Sequence, residues 1–481
     1  MRLIHPLIIV RILSIILLIE AISFLPCLPV ALIYKESLLP FLWSVIITGS
    51  IYLAFRFTSR KSDPIEASNR DTYLVVTIAW ILFSLLGSLP YLISGTIPAF
   101  IDAFFESASG FSTTGASILK DVEILPYSIL FWRSLTHWIG GLGIIMLVII
   151  ILPSLKVTGY QLFSLESSMK EKIHPKTSAI GFRVLLIYCG LTITETILLA
   201  AGDMTLFDSI CHAFGTVATG GFSTKNNSLQ FYSPYSQYVV MIFMFLAGIS
   251  QVVYYYFVKL NFRKIKQNEE LRFYVATVII AGTLAASILL MNSSMSFEEA
   301  FREGYFQLIS IITCTGFASV DFILWPVAGI FLIFIMMFSG GSTGSTSGGI
   351  KMARHLIVLK NIKRIIIRLT HPKALLPVKL NNNMVSETTN ISIISFVFLY
   401  LFLFMTGTVI LAVNGADPVT SASSVATCIA GIGPGLGTVG PMSNYSSLPQ
   451  LSKVVLSLIM IIGRLEIITV FAIFSRSFWK L

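Results

Sequence analysis

The chain has 481 residues, 55% hydrophobic and only 12% charged, with a mean hydropathy of +0.84. Soluble domains carry about 25% charged residues, and windows of about 20 apolar residues recur here along nearly the whole length. This reads as an all-α, polytopic integral membrane protein and leaves no soluble domain to be found. The net charge of +10 is distributed as membrane-orientation signals, which argues against nucleic-acid binding. Five cysteines, Cys27, Cys189, Cys211, Cys314 and Cys428, form no CxxC pair and imply neither a disulfide framework nor a zinc site.

In chain order, Met1-Arg2-Leu3-Ile4-His5 leads into an apolar stretch longer than a signal-peptide core and without a small-residue cleavage site, so it reads as a retained first helix. Helices over about 7–33 and 39–57 form an N-terminal hairpin, followed by a basic segment at 56–70. A unit then follows: a helix at about 72–94, a half-helix at 98–112, a loop at 113–117 and a helix at about 127–152. The second unit has a helix near 180–201, a half-helix at 205–218, a loop, and a helix near 235–260. The third runs from about 272 to 368 and the fourth from about 388 onward. The domain organisation expected is 1–70 for the hairpin, then 71–153, 154–265, 266–380 and 381–481 for four pore repeats.

The repeats are marked by four short runs of small and hydroxylated residues: Thr113-Thr114-Gly115-Ala116, Ala218-Thr219-Gly220-Gly221-Phe222, Thr313-Cys314-Thr315-Gly316-Phe317 and Gly431-Ile432-Gly433-Pro434-Gly435. Aligned on Gly115, Gly221, Gly316 and Gly433 they lie 106, 95 and 117 residues apart. The half-helix at 98–112 rises about 22 Å at roughly 1.5 Å per residue, too short for a core of about 30 Å, so it must enter and turn back. Pro98, Asp102, Asp208, Glu298, Glu299 and Asp417 suit the N-termini of these half-helices, whose negative dipole ends then point into the membrane and favour a cation. Non-helical backbone is tolerated there only if buried in protein or lining a water-filled cavity. Glycine lets neighbouring carbonyls face a common axis and replace the hydration shell of a cation.

Counting charges gives the topology. With the four loops outside, the opposite side holds 26 Lys and Arg and the loop side six, Arg464 aside. The positive-inside rule then places both termini in the cytoplasm and gives about ten spanning helices. All four units share one orientation, unlike the inverted repeats of many secondary transporters.

Two further features stand outside the loops. Gly340-Gly341-Ser342-Thr343-Gly344-Ser345-Thr346-Ser347-Gly348-Gly349 interrupts the second helix of unit three, where each glycine costs about 1 kcal/mol relative to alanine. A surface linker would emerge into water, yet only about a dozen residues separate this run from Trp325-Pro326, so it is expected mid-membrane, as a functional loop or as a simple break between two helices. Arg464 is expected near the middle of the last helix. A buried arginine there is costly, and bonding to this loop is expected rather than to Glu466, since residues two apart face different sides of a helix.

The other polar residues have plainer expectations. Glu106 and His212 supply supporting hydrogen bonds behind the filter, and Glu195 reaches the membrane interface. Gly140, Gly141 and Gly143 permit close helix packing. The basic segment 351–379 is ordinary positive-inside charge or a docking surface for a partner or anionic lipid.

These motifs, with Phe131-Trp132-Arg133-Ser134, Trp138-Ile139-Gly140-Gly141-Leu142-Gly143 and Gly463-Arg464-Leu465-Glu466-Ile467, resemble over almost the whole chain the TrkH/KtrB potassium-uptake proteins of the Trk/Ktr/HKT superfamily. The leading hairpin is similar to the TrkH branch. The resemblance implies four pseudo-repeats of helix, pore half-helix and helix around one ion pore. It places the filter at Thr113, Thr114 and Gly115, at Thr219, Gly220 and Gly221, at Cys314, Thr315 and Gly316, and at Gly431, Ile432 and Gly433. It implies a gate at 340–349 with Arg464, K+ as the transported ion and no covalent cofactor. It further implies a homodimer in the lipid of a bacterial inner membrane and a cytosolic, TrkA/KtrA-like ring that alone binds nucleotide. Serine at the first filter glycine is associated with sodium transport in this superfamily, so Gly115 favours K+. The chain departs from the family at Ala430-Gly431, where an Asn pair is usual, and at His137, where Gln is common.

Alternatives within this reading are a Na+-permeable pore and symport with Na+ or H+, which would use the same residues. A transporter of a small organic solute would instead show inverted repeats. An enzyme would show a metal-ligand cluster, a nucleophile with its base or a phosphate loop, and the sequence carries none of these.

Overall fold

The computed structural model describes residues 4–61, 68–146, 177–374 and 376–480. Apart from a short antiparallel pair, Lys379–Leu380 with Asn383–Met384, and one bridge between Ser339 and Ile350, the described residues form helices and loops. Among the described residues, six helical segments are long and apolar enough to cross a membrane: Pro6–Ile33, Leu39–Thr58, Arg70–Ser94, Gly181–Ala200, Glu269–Asn292 and Glu387–Val413. Their exposed residues are themselves apolar, as Phe398, Phe402, Met405 and Val409 show along the last of them. A helix facing lipid on one side and protein on the other has no polar face to keep.

The second helix of each unit is where the sequence expectation meets correction. In unit one it is described as Tyr127–Met146, and its expected continuation to 152, like the unit boundary at 153, lies outside the described residues. In unit two the single helix expected over 235–260 is two, Pro234–Ala247 and Gln251–Val258, bent by 97°. Unit three has Val327–Met336, the loop at 340–349 and then Met352–Thr370. In unit four Gln450–Arg464 and Ile467–Phe474 meet at 109°, so Arg464 ends a helix instead of standing mid-helix.

Four short helices, Phe100–Phe111, Leu206–Val217, Phe297–Ile312 and Pro418–Ala430, enter between these spans. Three have side-chain N-caps. Thr205 accepts from Asp208 N–H, Ser296 and Glu299 form a reciprocal capping box, and Asp417 accepts from Val419 and Thr420 N–H. The first has no side-chain cap, and its Asp102 instead accepts from Lys453 Nζ at 2.8 Å.

The apolar core forms two large clusters. One joins units two and three through residues such as Met244, Phe306 and Phe317; the other joins unit one, unit four and the hairpin through Phe105, Trp132, Tyr445 and Phe41. The hairpin is also fixed at its start. The His5 backbone N–H and ring Nδ1 lie 2.8 and 2.9 Å from the carboxylate of Asp71, which completes a capping box with Ser68 at the head of Asn69–Leu86.

Candidate functional site

Every short helix ends in the same backbone figure. Thr113, Thr219 and Cys314 have φ of +53°, +55° and +58°, and Gly431 takes the equivalent place at +75°. Two residues on, Gly115, Gly221, Gly316 and Gly433 stand at +80°, +81°, +82° and +96°. The residues between, Thr114, Gly220, Thr315 and Ile432, keep negative φ. Alternation in the sign of φ turns successive carbonyls toward one side, where an ordinary strand would alternate them.

The four loops also touch in sequence order. A Cβ added to Gly115 would lie 2.1 Å from the Gly220 carbonyl oxygen, and one on Gly221 2.1 Å from that of Thr315. On Gly316 it would lie 1.8 Å from the Ile432 oxygen, and on Gly433 2.6 Å from that of Thr114. Loop one meets two, two meets three, three meets four and four returns to one, so the backbone closes a ring with no room for side chains at these glycines. A cavity beyond the glycines is lined by all four of them, together with Ser117, Arg133 and Tyr445.

Side chains behind the ring brace it. The Arg133 Nε donates to Glu106 at 2.8 Å, its Nη1 to the Ser223 carbonyl at 3.1 Å, and its guanidinium lies 4.0 Å from the Phe222 ring centre. Glu106 also accepts from Ser117 Oγ and Ile118 N–H. Such a charge is tolerable in this apolar setting because it is both paired and hydrogen-bonded. His137 lies with Nδ1 2.8 Å from the Gly110 carbonyl and accepts at Nε2 from Phe222 N–H, an arrangement that requires the neutral Nδ1–H tautomer. His212 bridges the Asp208 carbonyl and Ser223 Oγ. The Tyr445 hydroxyl, absent from the sequence expectations, donates to the Gly433 carbonyl at 2.6 Å. Glu195, expected to reach the membrane interface, is wholly buried within the protein.

The run 340–349 lies on the opposite face of the ring, against the C-terminal ends of the short helices. Thr346 Oγ1 donates to the Val217 carbonyl at 3.2 Å, and a Cβ on Gly348 would meet the Ala430 oxygen at 2.0 Å. Gly340, Gly341 and Gly349 allow equally close approach, to Gly348, Ser347 and Ser339 in turn. Ser342 N–H donates to the Gly248 carbonyl at 2.9 Å and Gln251 N–H to that of Gly344 at 3.4 Å. The loop thus takes up backbone groups freed where the unit-two helix breaks. Ser345 and Ser347 bond each other through their hydroxyls, and Lys351 Nζ donates to the Ser347 carbonyl. Arg464 Nη1 donates to the Thr346 carbonyl at 2.7 Å. Glu466 pairs with Arg354, not with Arg464.

Gly140 and Gly463 show why second helices carry glycines. A Cβ on either would come within 2.1 and 2.3 Å of the carbonyls of Phe111 and Ile429, at the ends of short helices one and four.

A family model described as TrkH, cation transport protein, matches residues 39–481. The Trk system potassium uptake protein TrkH of Halomonas elongata is 33% identical, covering 98% of this chain and 99% of that protein. TrkG of Escherichia coli K12, also a Trk system potassium uptake protein, is 34% identical with 96% of each chain covered. The crystal structure of the potassium transporter TrkH from Vibrio parahaemolyticus matches with a TM-score of 0.89 at 29% identity, covering 98% of this chain and 99% of that one.

Proposed function

The chain belongs to the TrkH family of cation transport proteins, and from that premise we propose that it takes K+ into the cell through a single pore built by one polypeptide. The observation that carries this reading is the ring of backbone carbonyls from four glycine loops, each against the next. The chain is a transporter and performs no chemistry on the ion. Carbonyls from 113–115, 219–221, 314–316 and 431–433 replace part of the ion's hydration shell. The membrane potential, worth about 2.3 kcal/mol per charge per 100 mV, favours inward movement.

In this reading the pore repeats divide near 71, 154, 266 and 381, and the loop at 340–349, held by Arg464, is the gate. The charge count supports a bacterial inner membrane location with both termini in the cytoplasm. A second copy of the chain and a cytosolic nucleotide-binding ring complete the assembly, the basic segment 351–379 supplying a charged surface facing that ring or the lipid.

The test is 86Rb+ uptake into liposomes holding the purified chain, with Na+ as competitor and Gly115→Ser alongside. Saturable uptake under an inside-negative potential, with relative Na+ influx increased by the serine, is the expected result. Absence of cation flux at any potential, even with Arg464→Ala, would overturn conduction by the chain alone, in favour of a solute transporter or an obligatory partner subunit.

A further inference from the structure

The loop at 340–349 is held from outside its own pair of helices. Glu270 stands in the first turn of Glu269–Asn292 with its side chain fully buried. Its Oε1 accepts from the backbone N–H of Thr343 at 2.6 Å, within the loop, and from that of Ala353 at 3.0 Å, in the first turn of Met352–Thr370. One carboxylate oxygen therefore joins the loop to the start of the helix that follows it. That helix has no side-chain cap of its own. Its Ala353 N–H and positive dipole end are instead met by an acid from another helix, while Met352 N–H donates to the Gly341 carbonyl of the loop.

The preceding residue grips the same helix further along. The Glu269 carboxylate pairs with Lys360 Nζ, about two turns beyond Ala353. Glu269 N–H donates to Asn381 Oδ1 at 2.7 Å, and Lys360 Nζ also donates to the Lys379 carbonyl at 2.7 Å. Consecutive acids thus tie one helical turn to two levels of the basic helix. The inner of the two also holds the loop. A shift of the basic helix cannot leave both ties intact without moving Thr343 as well. A buried carboxylate is costly unless its hydrogen bonds are kept, so displacement breaks the hold on the loop cleanly instead of stretching it.

We propose that Glu270 is the positioning residue that keeps the 340–349 loop across the conduction path and couples it to the basic helix Met352–Thr370. Displacement of that helix releases the loop. The proposal rests on the reading of 340–349 as a gate.

The experiment measures 86Rb+ uptake and the Rb+/Na+ uptake ratio in liposomes holding the full chain, as wild type, Glu270→Ala, Glu270→Gln, Arg464→Ala and the Glu270→Ala/Arg464→Ala double variant. Glu270→Ala is expected to raise basal uptake about tenfold, the size of shift that losing hydrogen bonds to a charged group gives a two-state equilibrium. Glu270→Gln, which keeps an acceptor oxygen without the charge, is expected to fall between. The Rb+/Na+ ratio stays at the wild-type value because the ring is untouched, whereas general loosening of the structure would change it. The double variant is expected to exceed neither single variant by its full factor, since both act on one loop.

Wild-type uptake in Glu270→Ala, with raised uptake in Arg464→Ala, would overturn the role of Glu270 and leave the gate standing. Unchanged uptake in both, from a protein that still conducts, would overturn the gate reading itself. Should the alanine variant not fold, Glu270→Gln decides alone, and uptake at the wild-type level overturns the proposal.

Discussion

The carbonyl ring and the tier against its pore-helix side are built on opposite plans. In the ring four units reach one solution, with φ between +80° and +96° at Gly115, Gly221, Gly316 and Gly433 and contacts that pass from loop to loop in order. In the other tier the units diverge: the unit-two helix turns by 97°, unit three becomes a loop, and the unit-four helix turns by 109°. An ion held symmetrically needs equivalent ligands on every side. A moving part needs to be single, and its neighbours must make room. The bends at 248–250 and 464–466 do so; the loop satisfies backbone exposed at the first, and at the second the Arg464 side chain donates to the loop's Thr346 carbonyl.

If repetition makes the ring, harm to one corner should be as damaging as harm to all. Gly221→Ala adds a Cβ 2.1 Å from the Thr315 oxygen at a φ of +81°. Backbone strain of about 1–3 kcal/mol adds to that collision, so 86Rb+ uptake should fall more than about tenfold in protein that still purifies in one dispersed peak; sustained uptake would separate the ring from the conduction path. If singularity makes the other tier, removing one tether should free the path instead. Arg464→Ala loses the bond to Thr346 and should increase basal uptake several-fold, below the roughly tenfold that about 1.5 kcal/mol, the low end for a hydrogen bond to a charged group, would give. A decrease there would mean that the two tiers fail in the same way and that the contrast is false. The smallest effect is expected behind the ring, where His137 uses one donor and one acceptor. Glutamine has both, so His137→Gln should leave uptake within about twofold of wild type, while the alanine variant, losing two bonds of about 1 kcal/mol each, should not.

The ring's parts were legible because their signals are local. Acids sit in the first turns of the short helices, Asp417 as a true cap and Asp208 and Glu299 beside the hydroxyl caps Thr205 and Ser296, and glycines sit where φ is positive. Gly431 is instructive: its φ is +75°, in the left-handed region that glycine enters most readily. A Cβ at this position would meet only the Thr113 oxygen, at 3.9 Å, so the backbone angle and not crowding is what favours glycine there.

The tier of bends was much less legible. Hydropathy carries both 235–258 and 450–474 past the length of one span, with only Gly248, Ser250 and Gln251 in the first and Gly463, Arg464 and Glu466 in the second at the bends, and the 340–349 loop from another unit packs against both breaks. Gly248 and Gly463 are weak hints, since a lone glycine in an apolar helix more often marks close packing. Glu270 was hidden for a related reason. In sequence Glu269-Glu270 is an ordinary acidic first turn, and only the fold shows that one of the pair faces inward to a distant chain segment.

Because a single polypeptide supplies all four corners, each corner is encoded separately. In a ring of identical subunits one codon change would alter four ligand positions together; here it alters one. Cysteine, threonine and glycine already occupy equivalent left-handed places at 314, 113 and 431. In the proposed reading ion preference can therefore be changed one corner at a time, a graded adjustment that a ring of identical subunits does not offer.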